Sequence, residues 1–307
     1  MNNYNESKWL EENFTKNEKH LYKIKDILVK TSTKYQKMEV LDIENYKRAL
    51  VLDGEIQSTE LDEFIYHESI VHPAMVINAK ASEVLVLGGG EGATIREILK
   101  YKNVKKVVMV DIDDSVINFA KKYLEVFHKG SFEDSRVKLV IDDANKYLSE
   151  TSEKFDVVIS DLPCPIENTP IIHLYSIEFF EKIKKVLKPG GAVVIQSTPS
   201  DIPQFEIFSA INRTLREIFS FVYPFSSFVP SSIITWGYNL CSDIELKNIF
   251  DINYVDDFLE KNLLKNDLRY YDGITNIKMF SFPKHLRKIL ENETNILKKD
   301  NLKFLFK

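Results

Sequence analysis

Short apolar runs alternate with helix-like segments between residues 84 and about 242, and this alternation restricts the fold more than any other feature of the chain. Runs such as VLVL (84–87) and VVMV (107–110) lack polar interruptions, which is typical of strands buried on both faces. Strands that alternate with helices form right-handed βαβ crossovers and a mostly parallel sheet. The sequence therefore predicts an α/β protein whose ligand crevice lies beyond the carboxyl ends of its strands.

The segments on either side of this alternation have different patterns. Four strand-like runs and the turn signal Asp53-Gly54 predict a small antiparallel β module over residues 1–62; the runs lie at residues 27–33, 38–41, 49–52 and 55–58. From Glu63 the spacing becomes helical, and a second, catalytic domain is expected over residues 63–307. Its last part, residues 245–307, predicts peripheral helices and a partly loose tail without recognisable chemistry.

The composition of the 307 residues argues against several classes of protein. Uncharged apolar stretches are far shorter than the ~18 residues of a membrane-spanning helix, and the charged first twenty residues predict no secretory signal. A net charge of −5 argues against a nucleic-acid surface and suits a cationic ligand better. Two cysteines and six histidines without a close pair predict neither a disulfide framework nor a metal site. We expect a cytoplasmic protein that acts on a small molecule, without a nucleic-acid, membrane or metal partner.

Four of the ten glycines lie within five positions, directly after one predicted strand and before one predicted helix: Gly88, Gly89, Gly90 and Gly92. Such a turn lets a ligand approach bare backbone. Asp111 ends the next strand, 23 residues after Gly88, where a carboxylate can accept hydrogen bonds from both hydroxyls of a ribose. Together these features favour a nucleoside cofactor over a purely structural turn.

Glu91 inside this turn bears on which nucleoside is bound. The spacing of Gly88, Gly90 and Ala93 also satisfies the dinucleotide fingerprint, so a nicotinamide enzyme is an alternative. A pyrophosphate at this helix start would be repelled by the Glu91 carboxylate, whereas a sulfonium or an ammonium would be attracted. Glu91 could instead serve only to stabilise the helix N-terminus.

Several longer motifs resemble those of the polyamine aminopropyltransferases, the spermidine synthases, which share the Rossmann-like sheet of class I methyltransferases. The resemblance covers about residues 30–242 and includes LDGEIQSTELDEFIYHE (52–68), GGGEGATIREIL (88–99), VMVDID (108–113), FEDSRVKLVIDDA (132–144), FDVVISD (155–161) and LYSIEFFEKIKKVLKPGG (174–191). The segment TWGYNLCSD (235–243) and the length of the loop between Asp161 and Tyr175 resemble the thermospermine synthases and prokaryotic long-chain enzymes more than the putrescine-using ones.

The resemblance implies transfer of an aminopropyl group from decarboxylated S-adenosylmethionine to an amine, with release of methylthioadenosine and without a metal. It implies that Asp161 is the catalytic aspartate and that Tyr66 lies beside the attacking nitrogen. The donor would contact Gln36, Gln57, Gly88, Gly90, Glu91, Asp111, Asp143 and Ala144. The amine side would comprise Tyr66, His67, Cys164, Gln196, Asp201 and Trp236. Taken alone, Asp161 could be a strand-end cap and Tyr66 a core residue, and packing or capping roles suit His67 and His72.

A carboxylate base suits this chemistry because a protonated amine cannot attack. With a pKa near that of lysine, ~10.4, freeing the amine at pH 7 costs about 4 to 5 kcal/mol. Orientation of the reactants supplies roughly 7 to 11 kcal/mol, so a positioned carboxylate is sufficient machinery.

One position departs from the family pattern D-x-x-D-P, which here reads Asp161-Leu-Pro-Cys164-Pro165. A neutral thiol in place of the second carboxylate should bind an ammonium weakly. Glu167 and Asp201 are candidate replacements for the missing acid. Some family members for longer polyamines also lack it, so the change does not by itself imply an inactive enzyme. We expect a longer amine such as spermidine as the acceptor, in preference to putrescine or agmatine. A catalytic role for Cys164 is disfavoured because no histidine lies nearby in sequence.

Two further functions remain open from the sequence. One is a different transfer, either of a methyl group from S-adenosylmethionine or of an aminopropyl group to a non-polyamine nucleophile. The other is a catalytically impaired paralogue that acts as a binding or regulatory subunit, which the cysteine at position 164 motivates. By analogy with the family, we expect a homodimer or homotetramer assembled through the N-terminal module.

Overall fold

The computed structural model describes residues 8–15, 17–166 and 169–303. Its N-terminal part is a five-stranded antiparallel sheet in which neighbours in sequence are neighbours in space, and its strands are β1 (Trp9–Thr15), β2 (Glu18–Ser32), β3 (Lys37–Ile43), β4 (Lys47–Leu52) and β5 (Glu55–Thr59). Asp53 and Gly54 have φ of 50° and 89°, as a two-residue hairpin turn with positive φ at both positions requires. The predicted antiparallel module and its hairpin are therefore confirmed. Strand β1 is not indicated by the sequence, because its residues WLEENFT are mostly polar.

The remaining chain builds a seven-stranded sheet in the order β11-β12-β10-β9-β6-β7-β8. Its strands are β6 (Glu83–Gly88), β7 (Lys106–Asp111), β8 (Val137–Ile141), β9 (Phe155–Asp161), β10 (Leu187–Pro199), β11 (Phe221–Val229) and β12 (Ile234–Ser242). The first five pair in parallel, whereas β12 pairs antiparallel with both β10 and β11. The mostly parallel, Rossmann-like sheet that the apolar runs predict is thus confirmed.

Helices cover both faces of this sheet. They are α1 (Glu63–Val76), α2 (Ala93–Leu99), α3 (Asp114–Tyr123), α4 (Glu125–His128), α5 (Ala144–Glu150), α6 (Ile177–Val186), α7 (Phe205–Leu215), α8 (Ile252–Asn262), α9 (Gly273–Met279) and α10 (Lys284–Asn292). The last three are the helices that the sequence predicts in the C-terminal part. In the part of the chain that the structure describes, no helix is long and apolar enough to cross a bilayer.

The hydrophobic core consists of two layers separated by the parallel strands. Along β6, Val84 and Val86 face one layer, which includes side chains of α1, α2 and α8. Leu85 and Leu87 face the other, which includes α5, α6 and α7. This alternation follows from the period of two in a strand, and it explains why a strand buried on both faces consists of apolar residues without interruption.

The sheet order reverses at β6, which has β7 on one side and β9 on the other. In an open α/β sheet the ligand crevice lies at such a switch point, beyond the carboxyl ends of the strands. Gly88 and Asp161, the last residues of β6 and β9, are direct cross-strand partners there. The N-terminal part contacts this edge through two hydrogen bonds. Thr33 donates one of 2.8 Å to Asp113, and Ser58 donates one of 2.7 Å to Glu91.

Candidate active site

The glycine turn after β6 brings backbone close to the end of β9. Gly88 has φ of +82°, and a Cβ added there would lie only 2.2 Å from the carbonyl oxygen of Asp161. A Cβ on Gly90 would lie 2.8 Å from Val116 Cγ1 and 3.0 Å from Asp111 Oδ2. Neither position has room for a side chain, so glycine is what allows the turn to pack against the ends of β7 and β9.

Asp161, the last residue of β9, is held by two hydroxyl groups. Its Oδ1 accepts a hydrogen bond of 2.6 Å from the Tyr66 hydroxyl of α1, and its Oδ2 accepts one of 2.6 Å from Thr94 Oγ1 of α2. Burial raises the pKa of Asp161 above its usual value, although the charge of His67 and the two hydroxyls oppose the rise. Burial likewise holds the pKa of Tyr66 well above 10, so the phenol stays protonated and donates. Thr94 is a site residue that the sequence does not reveal.

Glu91 lies at the start of the crevice and is only 8% exposed. Its Oε1 accepts a hydrogen bond of 2.7 Å from Ser58 Oγ and lies 2.7 Å from His67 Nε2. Within residues 8–15, 17–166 and 169–303, its buried Oε2 has no hydrogen-bond partner. Glu91 is near enough to Asp161 for its charge to add to the effect of burial on the pKa of Asp161. The two carboxylates therefore belong to one site, with one oxygen available for a cationic group.

His67 joins Glu91 to a second carboxylate. Its Nδ1 lies 2.8 Å from Glu63 Oε2, and the side chain is 2% exposed. Burial disfavours the charged ring, but the carboxylates of Glu91 and Glu63 outweigh this and raise the pKa of His67 to about 10. His72 does not belong to the site, because its nitrogens contact Tyr101 and Glu97 in the core.

The predicted donor-side acids lie at the ends of β7 and β8. Asp111 Oδ1 accepts from the backbone N–H of Asp113 at 2.9 Å, and burial, aided by nearby carboxylates, raises the pKa of Asp111 to about 6. Asp143 caps α5 by accepting from the N–H of Lys146 at 2.8 Å, and the next residue, Ala144, is buried. The Asp111 carbonyl accepts from the N–H of Asp142 at 3.0 Å, so the two strand ends adjoin.

The two glutamines predicted beside the donor differ in their surroundings. Gln36 lies in the β2–β3 turn, and its Nε2 is 3.5 Å from Asp113 Oδ2. It therefore lies close to the carboxyl end of β7. Gln57 is exposed, and its Nε2 donates to the Glu55 carbonyl at 3.3 Å. The adjacent Ser58 is the residue of β5 that contacts Glu91. A single serine in a strand carries no sequence signal of such a role.

Two residues predicted for the amine side are Cys164, in the loop after β9, and Gln196, in strand β10. Gln196 Nε2 lies 3.3 Å from Cys164 Sγ, and the Tyr175 hydroxyl lies 2.9 Å from Gln196 Oε1. Of the two candidate replacement acids, Glu167 lies outside the described residues. Asp201 Oδ2 accepts from the backbone N–H of Thr235 at 2.8 Å and fixes the start of β12.

Aromatic rings surround Tyr66 on the same side. The ring of Trp236 lies 5.9 Å from that of Tyr66 in an edge-to-face arrangement, and the ring of Tyr238 lies 5.8 Å from it. The sequence predicts Trp236 but not Tyr238 or Tyr175. Tyr66 and Trp236 are partly exposed, whereas Tyr238 is fully buried and stacks on Phe225, so of these three rings only Tyr66 and Trp236 are accessible to a cation.

The arrangement combines a nucleoside-type turn, buried carboxylates and aromatic rings. Among the described residues, no group of three or more His, Cys, Asp or Glu side chains is placed to hold a metal ion. Buried carboxylates beside partly exposed aromatic rings suit a cationic ligand.

Comparison with known proteins agrees with this geometry. Residues 63–250 match the family model of the spermine/spermidine synthase domain, and residues 8–60 match that of the spermidine synthase tetramerisation domain. The chain is 42% identical to a polyamine aminopropyltransferase of Sulfurisphaera tokodaii over 92% of this chain and 93% of the relative. It is 38% identical to one from Aeropyrum pernix, over 97% and 95% of the two chains.

Two solved structures share the fold. The crystal structure of spermidine synthase from Thermotoga maritima has a TM-score of 0.83 at 27% identity, over 94% of this chain and 96% of that one. A spermidine synthase in complex with the transition state analogue AdoDATO has a TM-score of 0.82 at 27% identity, over the same shares of the two chains. The chain therefore belongs to the spermine/spermidine synthase family, and it is an enzyme of the aminopropyltransferase class.

Proposed function

We propose that this enzyme transfers the aminopropyl group of decarboxylated S-adenosylmethionine to an amine acceptor and releases methylthioadenosine. The observation that carries the proposal is the buried Oε2 of Glu91, which has no hydrogen-bond partner among the residues that the structure describes and lies in the same site as Asp161. The decarboxylated donor has a sulfonium, a terminal ammonium and no carboxylate, so both its charges are attracted by the acids of this crevice. Its ammonium would donate a hydrogen bond to Oε2 of Glu91.

The rest of the donor would follow the edge of the sheet. In this proposal, the backbone of Gly88 and Gly90 borders the sulfonium side, Asp111 accepts from the ribose hydroxyls, and Asp143 with Ala144 flanks the adenine. Gln36 and Gln57 line the donor pocket from the N-terminal sheet. The contact between Gln36 and Asp113 supports the assignment of Gln36, since Asp113 follows the proposed ribose ligand.

The chemical step requires a free amine. Asp161 takes a proton from the acceptor ammonium, and Tyr66 and Thr94 hold the carboxylate in place for that transfer. The nitrogen lone pair then attacks the donor carbon beside sulfur, and a C–N bond forms. The C–S bond breaks and its electron pair stays on sulfur, which becomes the neutral thioether of methylthioadenosine. The attacking nitrogen, if it is a primary amine, becomes a secondary ammonium in the product.

We propose a longer polyamine such as spermidine as the acceptor, in preference to putrescine or agmatine. Cys164 provides no charge opposite a distal ammonium, and its contact with Gln196 leaves a polar but neutral wall. The rings of Tyr66 and Trp236 offer cation–π contacts, which are weaker than a buried ion pair and tolerate different positions of the charge. A chain with several charges can use such contacts at more than one nitrogen.

We also propose that the enzyme assembles as a homodimer or homotetramer through its N-terminal sheet. The match of residues 8–60 to the family model of the spermidine synthase tetramerisation domain supports this. Exposed apolar side chains on β2 also support it, namely Leu21, Ile27 and Leu28, which are 56%, 39% and 43% exposed.

Binding measurements with the two forms of the donor test the proposed donor. Glu91 should repel the carboxylate of S-adenosylmethionine, and like charges at close range cost several kcal/mol, so the decarboxylated form should bind at least about 100-fold tighter. Glu91→Gln should lose most of this preference and serves as the matched control. Equal affinity of the wild-type enzyme for both forms would contradict the proposal and favour methyl transfer.

A further inference from the structure

Both ring nitrogens of His67 face oxygen atoms at hydrogen-bond distance. Nδ1 lies 2.8 Å from Glu63 Oε2 and 2.8 Å from the Glu63 carbonyl oxygen, and Nε2 lies 2.7 Å from Glu91 Oε1. A backbone carbonyl oxygen and an ionised carboxylate oxygen can only accept hydrogen bonds. A neutral imidazole has only one N–H to donate. In a neutral ring, one nitrogen lone pair would therefore face a carboxylate oxygen. Only the imidazolium form satisfies both contacts.

A second ion pair fixes the carboxylate on the far side of His67. The guanidinium of Arg96 donates to both oxygens of Glu63, from Nη1 at 3.0 Å and from Nη2 at 2.9 Å. This bidentate pair is buried, since the side chains of Arg96 and Glu63 are 9% and 6% exposed. Bidentate pairs set orientation as well as charge, so Glu63 is held in position to accept from His67.

The charged groups around His67 come from three other elements besides its own helix. Glu63 and the Tyr66 ring, 5.2 Å away, belong to α1; Glu91 belongs to the glycine turn, Arg96 to α2 and Asp161 to β9. The three carboxylates outnumber Arg96, and the phenol of Tyr66 stays neutral. A second positive charge on His67 is therefore compensated, which agrees with its raised pKa of about 10.

We propose that His67 is a permanently protonated positioning residue that, clamped by the Glu63–Arg96 pair, fixes Oε1 of Glu91 and leaves Oε2 for the donor's primary ammonium. This inference rests on the proposed donor. It gives the buried side chains of Glu63 and Arg96 a role in donor recognition through His67 and Glu91. Their effect should fall on the KM of the donor and not on that of the amine.

The first test is the protonation state of His67 in the substrate-free enzyme. In ring ¹⁵N NMR spectra, with His67→Gln used to assign the resonances, both nitrogens of His67 should have the shifts of an imidazolium up to about pH 9. In Glu63→Gln, the midpoint of the titration should fall by at least about one pH unit, because one carboxylate is lost. The shifts of a neutral tautomer at pH 7, or a titration unchanged in Glu63→Gln, would overturn the inference. Because no substrate is present, this result is independent of the proposed reaction.

The second test separates positioning from a structural role. His67→Leu removes one of the two hydrogen bonds to Oε1 of Glu91, leaving that from Ser58, and should raise the KM of decarboxylated S-adenosylmethionine about 10- to 100-fold. The KM of the amine should change little. His67→Gln retains an N–H for Glu91 and should recover most of the loss. Equal effects on both KM values, or no rescue by glutamine, would contradict a positioning role. Failure of the proposed function would look different, since the wild-type enzyme would then release no methylthioadenosine.

Discussion

The hydroxyl of Tyr66 lies 2.6 Å from Oδ1 of Asp161, and this hydrogen bond joins helix α1 to the end of strand β9. Thr94, in helix α2, donates a hydrogen bond to the other carboxylate oxygen of Asp161, Oδ2. Three separate elements thus fix the orientation of one carboxylate at the switch point of the sheet. A base that must accept a proton from a mobile amine benefits from such a fixed orientation, because catalysis depends on the geometry of the proton transfer.

Replacement of Asp161 by asparagine should abolish most of the turnover. In Asp161→Asn the amide oxygen could still accept a hydrogen bond from Tyr66 or Thr94, but the side chain cannot take up a proton. We expect kcat to fall by roughly 10²- to 10⁴-fold, the usual contribution of a general base. Donor affinity, measured by titration calorimetry, should change far less. A variant that retains more than a tenth of wild-type kcat would show that another group is the base.

Loss of either hydroxyl should shift the pH profile. Tyr66 and Thr94 both lower the pKa of Asp161, so Tyr66→Phe should raise it and move the acidic limb of the kcat profile to higher pH. Thr94→Val, which removes the other hydrogen bond, is the matched variant and should shift the limb in the same direction. The measurement is kcat at saturating donor and amine between pH 5 and 9. Unshifted limbs in both variants would mean that Asp161 does not govern the profile.

Asp111 predicts a different pH effect, on the donor. Burial raises its pKa to about 6, so the carboxyl becomes protonated as the pH falls through 6. A protonated carboxyl accepts hydrogen bonds from ribose hydroxyls less well, and the donor KM should rise about tenfold per pH unit below this value. Asp111→Asn should have a raised donor KM that no longer varies between pH 5 and 7. A wild-type donor KM that is constant over this interval would contradict the ribose assignment.

Cys164 should control the choice of amine. Cys164→Asp restores a carboxylate beside Gln196 and should lower the KM of putrescine by about tenfold or more, as expected for a new charge-assisted hydrogen bond. Cys164→Ser, which changes the atom but adds no charge, should have little effect. The assay compares kcat/KM for putrescine and spermidine in all three proteins. If serine and aspartate have equal effects, charge at this position does not determine the acceptor.

Much of the fold is predictable because a strand that is buried on both faces consists of consecutive apolar residues, which are visible in the sequence. Strands β6, β7, β9 and β10 contain apolar runs without interruption, and the glycine turn marks the end of β6. Strand β1 and the first half of β2 escape prediction, because their sequences are largely polar and charged.

The site is predictable where a residue stands at a strand end or in a motif. Asp161, Glu91 and Asp111 are of this kind. Ser58 and Thr94 are not, since a lone hydroxyl residue has no pattern, and its role depends on contacts 33 and 67 residues away in sequence. The pairing of His67 with Glu63 and Glu91 also depends on how α1 and the glycine turn meet in space.

The most direct test of the account is a turnover assay with decarboxylated S-adenosylmethionine and a panel of amines. Purified enzyme is incubated with the donor and with putrescine, agmatine, spermidine or norspermidine, and methylthioadenosine and the new polyamine are quantified by chromatography. We predict equimolar release of both products, with spermidine or norspermidine giving a higher kcat/KM than putrescine or agmatine. The absence of methylthioadenosine with every amine, or a methylated product from S-adenosylmethionine in its place, would contradict the account.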